Sequence, residues 1–565
     1  MIKLYSYLSV FCGVICMPAQ EVVWQRNIPS STQDFLSHLT TTIDQQFLIG
    51  GSSIHKRKDA QSASDNDDSL RERFSYDYHL IKLNQQGQKV WEKFYGGLSH
   101  DYLHTATATQ EGGFLLAGSS YSMIGGDKKD NGIGGADIWL LKLSENGEEE
   151  WQRTIGTELD EEAKSVVQTT DLGFVMAGNI QNHTLGLGSK DILVAKLDKK
   201  GSLVSQTILG GRGLDEVEKM IPTKDGGVLL AMYSRSGDDS HLLSEKLSAL
   251  KTFNTTILEK QSKFKDKENP LHNTLNISTL SIQNLYTKNS DSYGEGDYWV
   301  VKLDKAGKVE WQKNFGGNED ERIKDIALTS KGYIISGESR SSNTGNKSMT
   351  LKEGSDLWIL ALDDLGNEVW QQSYSFGNRD VLMSLNTIWD KSGLSEKGFL
   401  LGGYTQSEGK KRESDEQFWM LYLDSKGNEV WRKYVEGASK KQQERLVSAR
   451  FISDGAYVVA GTSAEALGKE QWKIVKLGDK ELNDLIEKQE VRVYPNPVSE
   501  YCYVEIGVDF REAEIQIYDM SGKLVQSLKT RNSVTKIPTK ALPQGTYIIN
   551  LVTENKTLNT KIVKL

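Results

Sequence analysis

The stretch that decides the fold is Asp137–Leu143 (DIWLLKL), followed by Gly147, Trp151 and Gly156 and then by 173–178 (GFVMAG). Both alternating sets of residues in the first run are apolar, so a strand formed there must be covered on both faces. This pattern recurs along most of the chain with a period of about sixty residues. Short strands separated by glycine-centred turns, repeated at this spacing, indicate sheets stacked in an array or a ring.

Three kinds of run recur, each with seven copies. The DIWLLKL-like run occurs at 78–83, 137–143, 191–197, 297–303, 356–362, 417–423 and 472–477. The GFVMAG-like run occurs at 47–50, 113–118, 173–178, 226–231, 332–337, 398–402 and 455–461. The third run is built around a tryptophan, at Trp24, Trp91, Trp151, Trp311, Trp370 and Trp431, with Ser205 in the remaining copy. Placement of tryptophan in strands predicts core packing before sugar binding.

The order of the runs predicts a closed ring. Each unit supplies four candidate strands, but the repeat region begins with a lone fourth strand at 21–28 and ends with a lone third strand at 472–477. Those two halves complete one sheet, and closure removes exposed sheet edges. We therefore predict an all-β protein, a seven-bladed β-propeller over 20–478 that is closed by its N-terminal strand. The predicted blades are 37–95, 103–155, 163–208, 216–315, 323–374, 382–435 and 446–477 with 21–28.

Turn lengths predict which face of the ring binds a ligand. The turns between third and fourth strands are four residues long and end in glycine, which suits a left-handed turn position. The loops between second and third strands (the B–C loops) vary in length, and the longest is the insertion 234–296. Because strands alternate in direction, these loops share one face, where binding is expected. We hypothesise that the insertion, with a candidate helix at 241–253, partly covers the axial opening.

Composition excludes some functions. A formal net charge of −9 without a clustered basic face argues against nucleic acid as a partner. The 8 histidines show no metal-binding spacing such as His-x-x-x-His. The repeats are similar to the tryptophan-docking repeat of quinoprotein dehydrogenases, but they lack its threonine and its adjacent cysteine pair. We therefore predict no organic cofactor.

The first residues predict export. Residues 1–19 have a basic start, a short apolar stretch and small residues at the end, which indicates a signal peptide cleaved between Ala19 and Gln20. A lipoprotein anchor at Cys16 is the alternative, but Ile15 is larger than such signals normally tolerate. After cleavage between Ala19 and Gln20 the only cysteine is Cys502, which alternates with tyrosines and is expected in a core. We predict no transmembrane segment in the mature chain.

The C-terminal part differs in composition from the repeats. Residues 479–490 are charged and predict a linker, and 491–565 contain alternating strands between Pro, Asn and Gly turns, which predict a small β-sandwich. Its motifs are Tyr494-Pro495-Asn496-Pro497, Asp519 with Gly522, Gly545 with Tyr547, and the ending that contains Lys561 and Lys564. This combination resembles the type A C-terminal sorting domain of the Bacteroidota type IX secretion system. The resemblance implies export through that machinery, removal of the domain near the linker, and release or attachment at the outer cell surface.

Two sets of acidic residues are candidates for a site. One set follows the fourth-strand glycines, and we interpret its side chains as caps on loop amides rather than as catalytic groups; its members are Asp101, Asp160, Asp215, Asp320 and Asp380. The other set lies in one glycine-rich loop and could supply oxygen ligands to calcium, although its spacing matches no EF-hand; its members are Asp127, Asp130, Asn131 and Asp137.

Two functional classes remain open from the sequence. The first is a secreted or cell-surface binding module that is not an enzyme and whose partner is a glycan or a protein. The alternative is a carbohydrate-active enzyme, a lyase or a hydrolase, with acid and base groups on the face that carries the B–C loops. No residue is predicted to be catalytic.

Overall fold

The computed structural model describes residues 21–29, 34–57, 73–181, 187–242, 274–276, 284–406, 417–435, 443–452, 454–464, 470–478, 480–486 and 489–565. Strands dominate these residues, which confirms the all-β prediction. The predicted signal peptide, with its cleavage position, lies outside them and stays a prediction. Within the described ranges, no helix is both long and apolar enough to cross a lipid bilayer.

The first half of the repeat region forms antiparallel four-stranded sheets, each built from one repeat. The described chain begins with β1 (Glu21–Ile28). Sheet 1 contains β2 (Phe35–Thr41), β3 (Phe47–Arg57), β4 (Arg73–Leu83) and β5 (Lys89–Tyr95). Sheet 2 contains β6 (Asp101–Ala108), β7 (Phe114–Ser120), β8 (Asp137–Leu143) and β9 (Glu149–Gly156), and sheet 3 contains β10 (Glu161–Gln168), β11 (Phe174–Ile180), β12 (Asp191–Leu197) and β13 (Leu203–Gly210).

The second half continues this pattern after one interruption. Sheet 4 starts with β14 (Asp215–Pro222) and β15 (Val228–Ser234), and after the short strands β16 (Thr274–Asn276) and β17 (Asn284–Thr287) it ends with β18 (Asp297–Leu303) and β19 (Val309–Phe315). Sheet 5 contains β20 (Glu321–Leu328), β21 (Gly332–Ser339), β22 (Asp356–Asp363) and β23 (Glu368–Tyr374). Sheet 6 contains β24 (Arg379–Trp389), β25 (Glu396–Gln406), β26 (Gln417–Asp424) and β27 (Glu429–Val435).

Sheet 7 combines the two ends of the repeat region. It contains β28 (Gln443–Phe451), β29 (Tyr457–Ala464) and β30 (Glu470–Gly478), and its fourth strand is β1. The predicted pairing of the first strand with the last is present, with Ile28 opposite Trp472 and Glu21 opposite Gly478. The first strands of neighbouring sheets are in contact from β2 through β6, β10, β14, β20 and β24 to β28, and β28 contacts β2. This is β-propeller architecture.

The hydrophobic core lies between neighbouring sheets. Trp139 and Leu141 of β8 pack against sheet 1, while Ile138 and Leu140 pack against sheet 3. All four side chains are fully buried, as the doubly apolar pattern predicted. Each such side chain contributes about 1.5–3 kcal/mol through burial. Every repeat therefore stabilises its two neighbours rather than a single central core.

The tryptophans of five fourth strands pack on the glycine turn of the next sheet, namely Trp24, Trp91, Trp151, Trp311 and Trp370. Trp91 Nε1 donates a hydrogen bond of 3.1 Å to the Glu145 carbonyl, and a Cβ at Gly147 would lie tightly against Lys93 Cδ at 3.0 Å and the indole ring at 3.3 Å. Gly147 also has a φ of 73°, as the turn pattern predicted. Trp24 of β1 makes the equivalent contact with the turn of sheet 1, donating 3.2 Å to the Gln85 carbonyl. The N-terminal strand thus joins sheet 7 to sheet 1.

The insertion in sheet 4 returns to the outer edges of earlier sheets. β16 pairs in parallel with β9 of sheet 2, and β17 pairs in parallel with β13 of sheet 3. These described pieces cover sheet edges, which protects unpaired backbone groups. The hypothesis that the insertion partly covers the axial opening stays a prediction, because most of 234–296 lies outside the described residues. The candidate helix at 241–253 falls almost wholly outside the described residues.

The C-terminal domain is the predicted small β-sandwich. One sheet contains β31 (Val491–Tyr494), β32 (Tyr501–Ile506) and β35 (Val534–Pro538), and the other contains β33 (Ala513–Asp519), β34 (Leu524–Thr530), β36 (Gly545–Thr553) and β37 (Thr557–Lys564). Their inner faces share one core, in which Cys502 is fully buried. Burial raises the pKa of the Cys502 thiol to about 12, so this thiol is not a nucleophile near neutral pH.

The segment before this domain is more ordered than a simple linker. It forms a short helix, α1 (Lys480–Leu485), although the sequence predicted only a charged connection. Leu482 and Leu485 are buried against sheets 6 and 7, and these two residues supply the apolar face that anchors the helix. The signal was a pair of leucines three residues apart within the charged run.

Candidate ligand site on the loop face

Two ends of the ring must be distinguished. The loop face carries the loops from second to third strands and from each sheet to the next, and the turn face carries the short turns. On the loop face, a buried aspartate begins each of several third strands and accepts a backbone amide four residues earlier. The pairs are Asp137 with Ile133 N at 2.7 Å, Asp191 with Leu187 N at 2.6 Å, Asp297 with Tyr293 N at 2.9 Å and Asp356 with Lys352 N at 2.8 Å.

These aspartates explain the glycine that ends the fourth strand. A side chain at Gly156 would overlap Oδ1 of Asp137, and Gly210 and Gly316 face Asp191 and Asp297 in the same way. The repeat therefore keeps glycine there because a buried carboxylate occupies the space. Charge-assisted hydrogen bonds of this kind are worth about 1.5–3 kcal/mol each, so each loop is held by the third strand that follows it.

A second series of buried carboxylates begins the first strands, with one correction to the sequence interpretation. Asp101 and Asp380 cap the amides of Gly97 and Phe376 at 2.6 and 2.7 Å, as predicted. In sheets 3 and 5 the equivalent acceptors are Glu161, for Thr157 N at 2.8 Å, and Glu321, for Gly317 N at 2.6 Å. In a strand, a shift of one residue moves a side chain to the other face. The sequence interpretation considered only the aspartates and therefore missed Glu161 and Glu321.

The two displaced aspartates bind elsewhere, whereas Asp215 keeps the backbone hydrogen bond from Gly211. Asp160 accepts the Ala136 amide at 2.7 Å, and Asp320 accepts the Tyr233 hydroxyl at 2.6 Å. Asp215 accepts the Ser236 hydroxyl at 2.7 Å. The whole series is therefore engaged in holding loops, which supports a structural role.

Buried lysines lie inside three of the loops. Lys128 Nζ donates to Ser120 Oγ at 3.1 Å, Lys288 Nζ donates to the Ser236 carbonyl at 2.6 Å, and Lys347 Nζ donates to the Ser341 carbonyl at 2.6 Å. Burial lowers the pKa of each, that of Lys347 to about 8, while the nearby carboxylates raise it. These ammonium groups give the buried carboxylates an internal positive charge.

The calcium candidates are not brought together around one point. Asp127 accepts the Gly96 amide at 3.1 Å, Asn131 accepts the Ile124 amide at 3.4 Å, and Asp137 caps its own loop. Asp130 is buried, which raises its pKa to about 6. Lys128 already places a cation near Asp130 and Asp137. The part of the chain described holds no group of three or more metal-ligating side chains, and calcium binding stays a prediction.

A bulge at the same position of each first strand re-aims one side chain. In sheet 2 the register shifts between Leu103 and Thr105, so no residue of β7 lies opposite His104 in the strand pairing. The paired strand carries Gly118 there, because a side chain would overlap the Tyr102 carbonyl. The equivalent bulge residues are Ser37, Lys164, Glu218, Lys324, Met383 and Val447. All are half-buried, and they form the inner surface of the ring.

A cavity of about 270 Å³ lies on the loop face where sheets 2 and 3 meet. His104 Nε2 and Ser119 Oγ are 3.1 Å apart on one wall, and Ser119 Oγ donates a hydrogen bond of 2.9 Å to the Glu161 carbonyl. The opposite wall has charged groups, with Glu162 and Lys164 paired at 2.7 Å. The lining residues are Tyr102, His104, Ser119, Tyr121, Ala136, Asp160, Glu161, Glu162, Asn179, Gln181 and Lys190.

The titratable groups of this cavity differ in charge at neutral pH. Burial, with Asp137 and Asp160 nearby, raises the pKa of Glu161 to about 8, so this carboxyl is neutral. Burial would also raise the pKa of Glu162, but its hydrogen bond and ion pair with Lys164 lower it overall. Burial lowers the pKa of His104. The cavity therefore presents a neutral imidazole beside a paired carboxylate.

An aromatic strip runs from sheet 1 into this cavity. Ring centroids of Phe35 and Tyr76 are 5.3 Å apart, those of Tyr76 and Tyr102 are 5.3 Å apart, and those of Tyr102 and Tyr121 are 6.4 Å apart. His100 lies 5.6 Å from Tyr76. Phe35 is 44% exposed and Tyr121 is 49% exposed. Sequence reasoning missed this strip, because its members occupy strand ends that differ from one repeat to the next.

The tryptophans, by contrast, are core residues where the sequence placed them in third strands. Trp139, Trp299 and Trp358 are fully buried between sheets. The repeated fourth-strand tryptophans, such as Trp91 and Trp151, are half-buried and pack against the cores between sheets, which supports a packing role. Exposed rings on the loop face come from tyrosine, phenylalanine and histidine instead.

In the C-terminal domain, the Tyr494–Pro497 motif attaches the last strand. Asn496 Nδ2 donates 2.9 Å to the Lys561 carbonyl, and Asn496 Oδ1 accepts the Val563 amide at 3.0 Å. The peptide bonds before Pro495 and Pro497 are cis. Tyr494 lies 5.9 Å from the ring of Tyr503.

The other motif residues of this domain shape turns and strand ends. Asp519 accepts the amides of Ser521 and Lys523 at 2.9 and 3.0 Å in a turn where Gly522 has a φ of 84°. Gly545 begins β36, in which Tyr547 donates 2.8 Å to the Pro543 carbonyl. Lys561 and Lys564 lie on β37, and Lys564 Nζ donates 2.6 Å to the Leu565 carbonyl.

Comparison with known families decides the nature of this domain. Residues 492–565 match the family described as secretion system C-terminal sorting domain. The C-terminal domain is a sorting domain. This confirms the predicted resemblance to the type IX secretion system, and it indicates export followed by secretion or attachment at the outer cell surface. The sorting domain also implies interaction with the secretion machinery.

Several solved structures have a low similarity to this chain. The WD40 domain of Neurospora crassa Pan2 is 7% identical, with 78% of this chain and 89% of that chain covered and a TM-score of 0.39. The polysaccharide lyase Uly1 is 8% identical, with 79% and 90% covered and a TM-score of 0.39. A Synechocystis apocarotenoid oxygenase is 10% identical, with 93% and 97% covered and a TM-score of 0.34. No curated protein matches the chain, and likeness at this level carries no argument about activity.

Proposed function

We propose that this exported protein is a glycan-binding module that is not an enzyme, with its site on the loop face at sheets 1 to 3. The observation that carries the proposal is the aromatic strip that ends in the cavity beside His104. Sugar rings present flat apolar faces and many hydroxyls, so they need aromatic surface together with fixed polar groups. The strip supplies the aromatic surface, and the pairs His104–Ser119 and Glu162–Lys164 supply the fixed polar groups.

A glycan fits this site better than a protein partner does. The site is concave and mixes rings with hydrogen-bonding groups within one cavity of about 270 Å³. Concave sites of this kind take small ligands or chain ends, whereas protein partners usually cover a broader surface of about 800 Å² per side. Binding of a protein, and not of a glycan, would be a different outcome of the binding experiment.

We also propose that the seven sheets form one closed ring of seven blades. The pairing of β1 with β30, the contact of β28 with β2 and the packing of Trp24 on the turn of sheet 1 support closure. A closed ring fixes the geometry of the loop face, since each blade is clamped on both sides. This rigidity favours a preformed site.

A carbohydrate-active enzyme, lyase or hydrolase, is the second candidate. The observation that favours it is that Tyr102 and His104 line the same cavity, where a neutral imidazole could accept a proton. Glycan binding without turnover supports the binding module. Release of shortened or unsaturated products by the wild-type chain, and loss of that release in His104→Ala, would establish the enzyme instead.

The test is a glycan array probed with the full chain and with three variants. Tyr121→Ala and Tyr102→Ala should each weaken binding by about five- to tenfold, because an aromatic contact is worth about 1 kcal/mol or more. Tyr293→Ala is the matched control, since Tyr293 is 44% exposed on the loop face but belongs to sheet 4. Equal loss in all three variants, or no binding by the wild-type chain, would refute the proposed site.

A further inference from the structure

The sorting domain contacts the turn face of the ring through the edge strand β35. Gln85, in the turn between β4 and β5, is only 9% exposed. Its Nε2 donates 3.0 Å to the Val534 carbonyl and its Oε1 accepts the Ser533 amide at 2.9 Å. Ser533 Oγ also donates 2.7 Å to Oε1 of Gln45 in the neighbouring turn. One glutamine thus satisfies a backbone donor and a backbone acceptor at the start of β35.

A charged contact with sheet 2 lies beside it. Lys536 Nζ is 2.7 Å from Glu145 Oε2 and donates 3.2 Å to the Glu111 carbonyl. The same ammonium group lies 4.6 Å from the ring centroid of Tyr501, whose hydroxyl donates 2.8 Å to the Gln110 carbonyl. The contact is therefore polar and directional, and both partners contribute side chains and backbone.

The turns that make this contact differ from the equivalent turns of the other sheets. The turn of sheet 1 reads NQQG (84–87), whereas the turns of sheets 3 to 6 read DKKG (198–201), DKAG (304–307), DDLG (363–366) and DSKG (424–427). At the position of Gln85 these turns carry Lys199, Lys305, Asp364 and Ser425, and the three charged side chains cannot both donate and accept at neutral pH as an amide does. The departure from the repeat coincides with the residues that touch β35, which indicates a dedicated surface.

The edge of β35 needs such a partner. In its sheet β35 pairs with β32 on one side only. The other edge carries backbone groups that would otherwise be exposed, and exposed strand edges promote association with other chains. Gln85 forms hydrogen bonds with the backbone of Ser533 and Val534 at that edge. These hydrogen bonds lie next to the ion pair of Lys536. The two contacts therefore protect one short strand.

We propose that the turns of sheets 1 and 2 form a docking surface for the sorting domain, with Gln85 and Glu145 as its recognition residues and Ser533 to Lys536 as the docked segment. The docked domain occupies the turn face, at the opposite end of the ring from the loop face. The ligand site is consequently open while the sorting domain is still attached. Docking does not depend on what the loop face binds.

The test is hydrogen exchange of the backbone amides of 531–538 in the full chain. Glu145→Lys and Lys536→Glu should each accelerate exchange by about fivefold or more, since a pair of this kind contributes up to roughly 1 kcal/mol and the reversal adds repulsion. The double variant Glu145→Lys/Lys536→Glu should return exchange to about the wild-type rate, because the pair is restored with opposite polarity. Lys540→Glu is the control, since within the described residues Lys540 pairs with Glu500 of the sorting domain itself.

A second pair of variants separates docking from misfolding. Gln85→Ala should accelerate exchange at Ser533 while tryptophan fluorescence stays native, and Gln86→Ala, one residue away with only a 3.5 Å contact to Asn532, should change it little. Unchanged exchange in Gln85→Ala and in both charge reversals would overturn the proposal. Acceleration in the double variant equal to that of the single variants would show that the pair does not hold the domain.

Discussion

Replacing Glu161 by glutamine should stabilise the ring at alkaline pH and have little effect at acid pH. Glu161 is 1% exposed, and burial raises its pKa from 4.5 to about 8. Its carboxyl accepts Thr157 N at 2.8 Å and also contacts Thr157 Oγ1. The sequence of its loop, 181–190, offers no lysine before Lys190, unlike the loops that contain Lys128, Lys288 and Lys347. The sequence of this loop therefore predicts no lysine partner for the carboxylate of Glu161.

The sign and size of this pH-dependent change in stability follow from the linkage between proton binding and folding. Between pH 4.5 and about 8 the unfolded chain has lost the Glu161 proton while the folded chain keeps it, so stability falls as pH rises through this range. Each pH unit costs about 1.4 kcal/mol, which gives roughly 4–5 kcal/mol in total at pH 8 and above. Glutamine is always neutral and can keep both contacts with Thr157, so it removes this loss.

The assay is urea unfolding followed by tryptophan fluorescence at pH 5 and at pH 8.5. All 12 tryptophans precede residue 479, so the signal reports the repeat region alone. The variant should gain several kcal/mol over the wild type at pH 8.5 and about none at pH 5. Glu321→Gln is the control, because Lys347 supplies a cation in that loop. A variant that is destabilised equally at both pH values would refute this account of Glu161.

Three further predictions use the same unfolding assay. Trp24→Ala should cost about 2–4 kcal/mol, comparable with Trp311→Ala, if the N-terminal strand closes the ring as the internal strands do; a much smaller loss for Trp24→Ala would argue against closure. Gly156→Ala should cost about 1–3 kcal/mol because its methyl group would overlap a buried carboxylate, whereas Gly237→Ala, with open space around it, should be nearly neutral. Lys347→Met should abolish the rise in stability that the wild type shows between pH 8 and 10.5, since burial lowers the pKa of Lys347 to about 8 and the unfolded chain binds the proton more strongly in that range.

The sheets could be predicted from sequence because their signals are local and repeated. The doubly apolar run Asp137–Leu143 requires cover on two faces, and the glycine at 147 fixes a turn, so seven copies define the order of strands. The pairing of β1 with β30 followed from the incomplete units at the two ends. Helix α1 was not predicted, because six residues with two apolar positions give a weak helical signal.

The candidate site could not be read in the same way. Tyr76 and Tyr102 lie in strands of two different sheets and Tyr121 follows β7, and only the folded backbone brings their rings together. The acidic residues showed the opposite error, because aligned aspartates at 160 and 320 concealed Glu161 and Glu321, which face inward one position later. Side-chain direction at a strand start depends on the bulge that follows, which no composition pattern reveals.

The bulge in each first strand has a consequence for how this protein can diversify. His104, Lys164, Glu218 and their equivalents have no residue opposite them in the neighbouring strand, so their identity is not constrained by strand pairing. The seven positions already hold imidazole, ammonium, carboxylate, hydroxyl and aliphatic groups on an otherwise repetitive frame. Chains of this architecture can therefore exchange these side chains without a matching change in the strand pairing, as long as contacts such as the Glu162–Lys164 pair are kept or replaced.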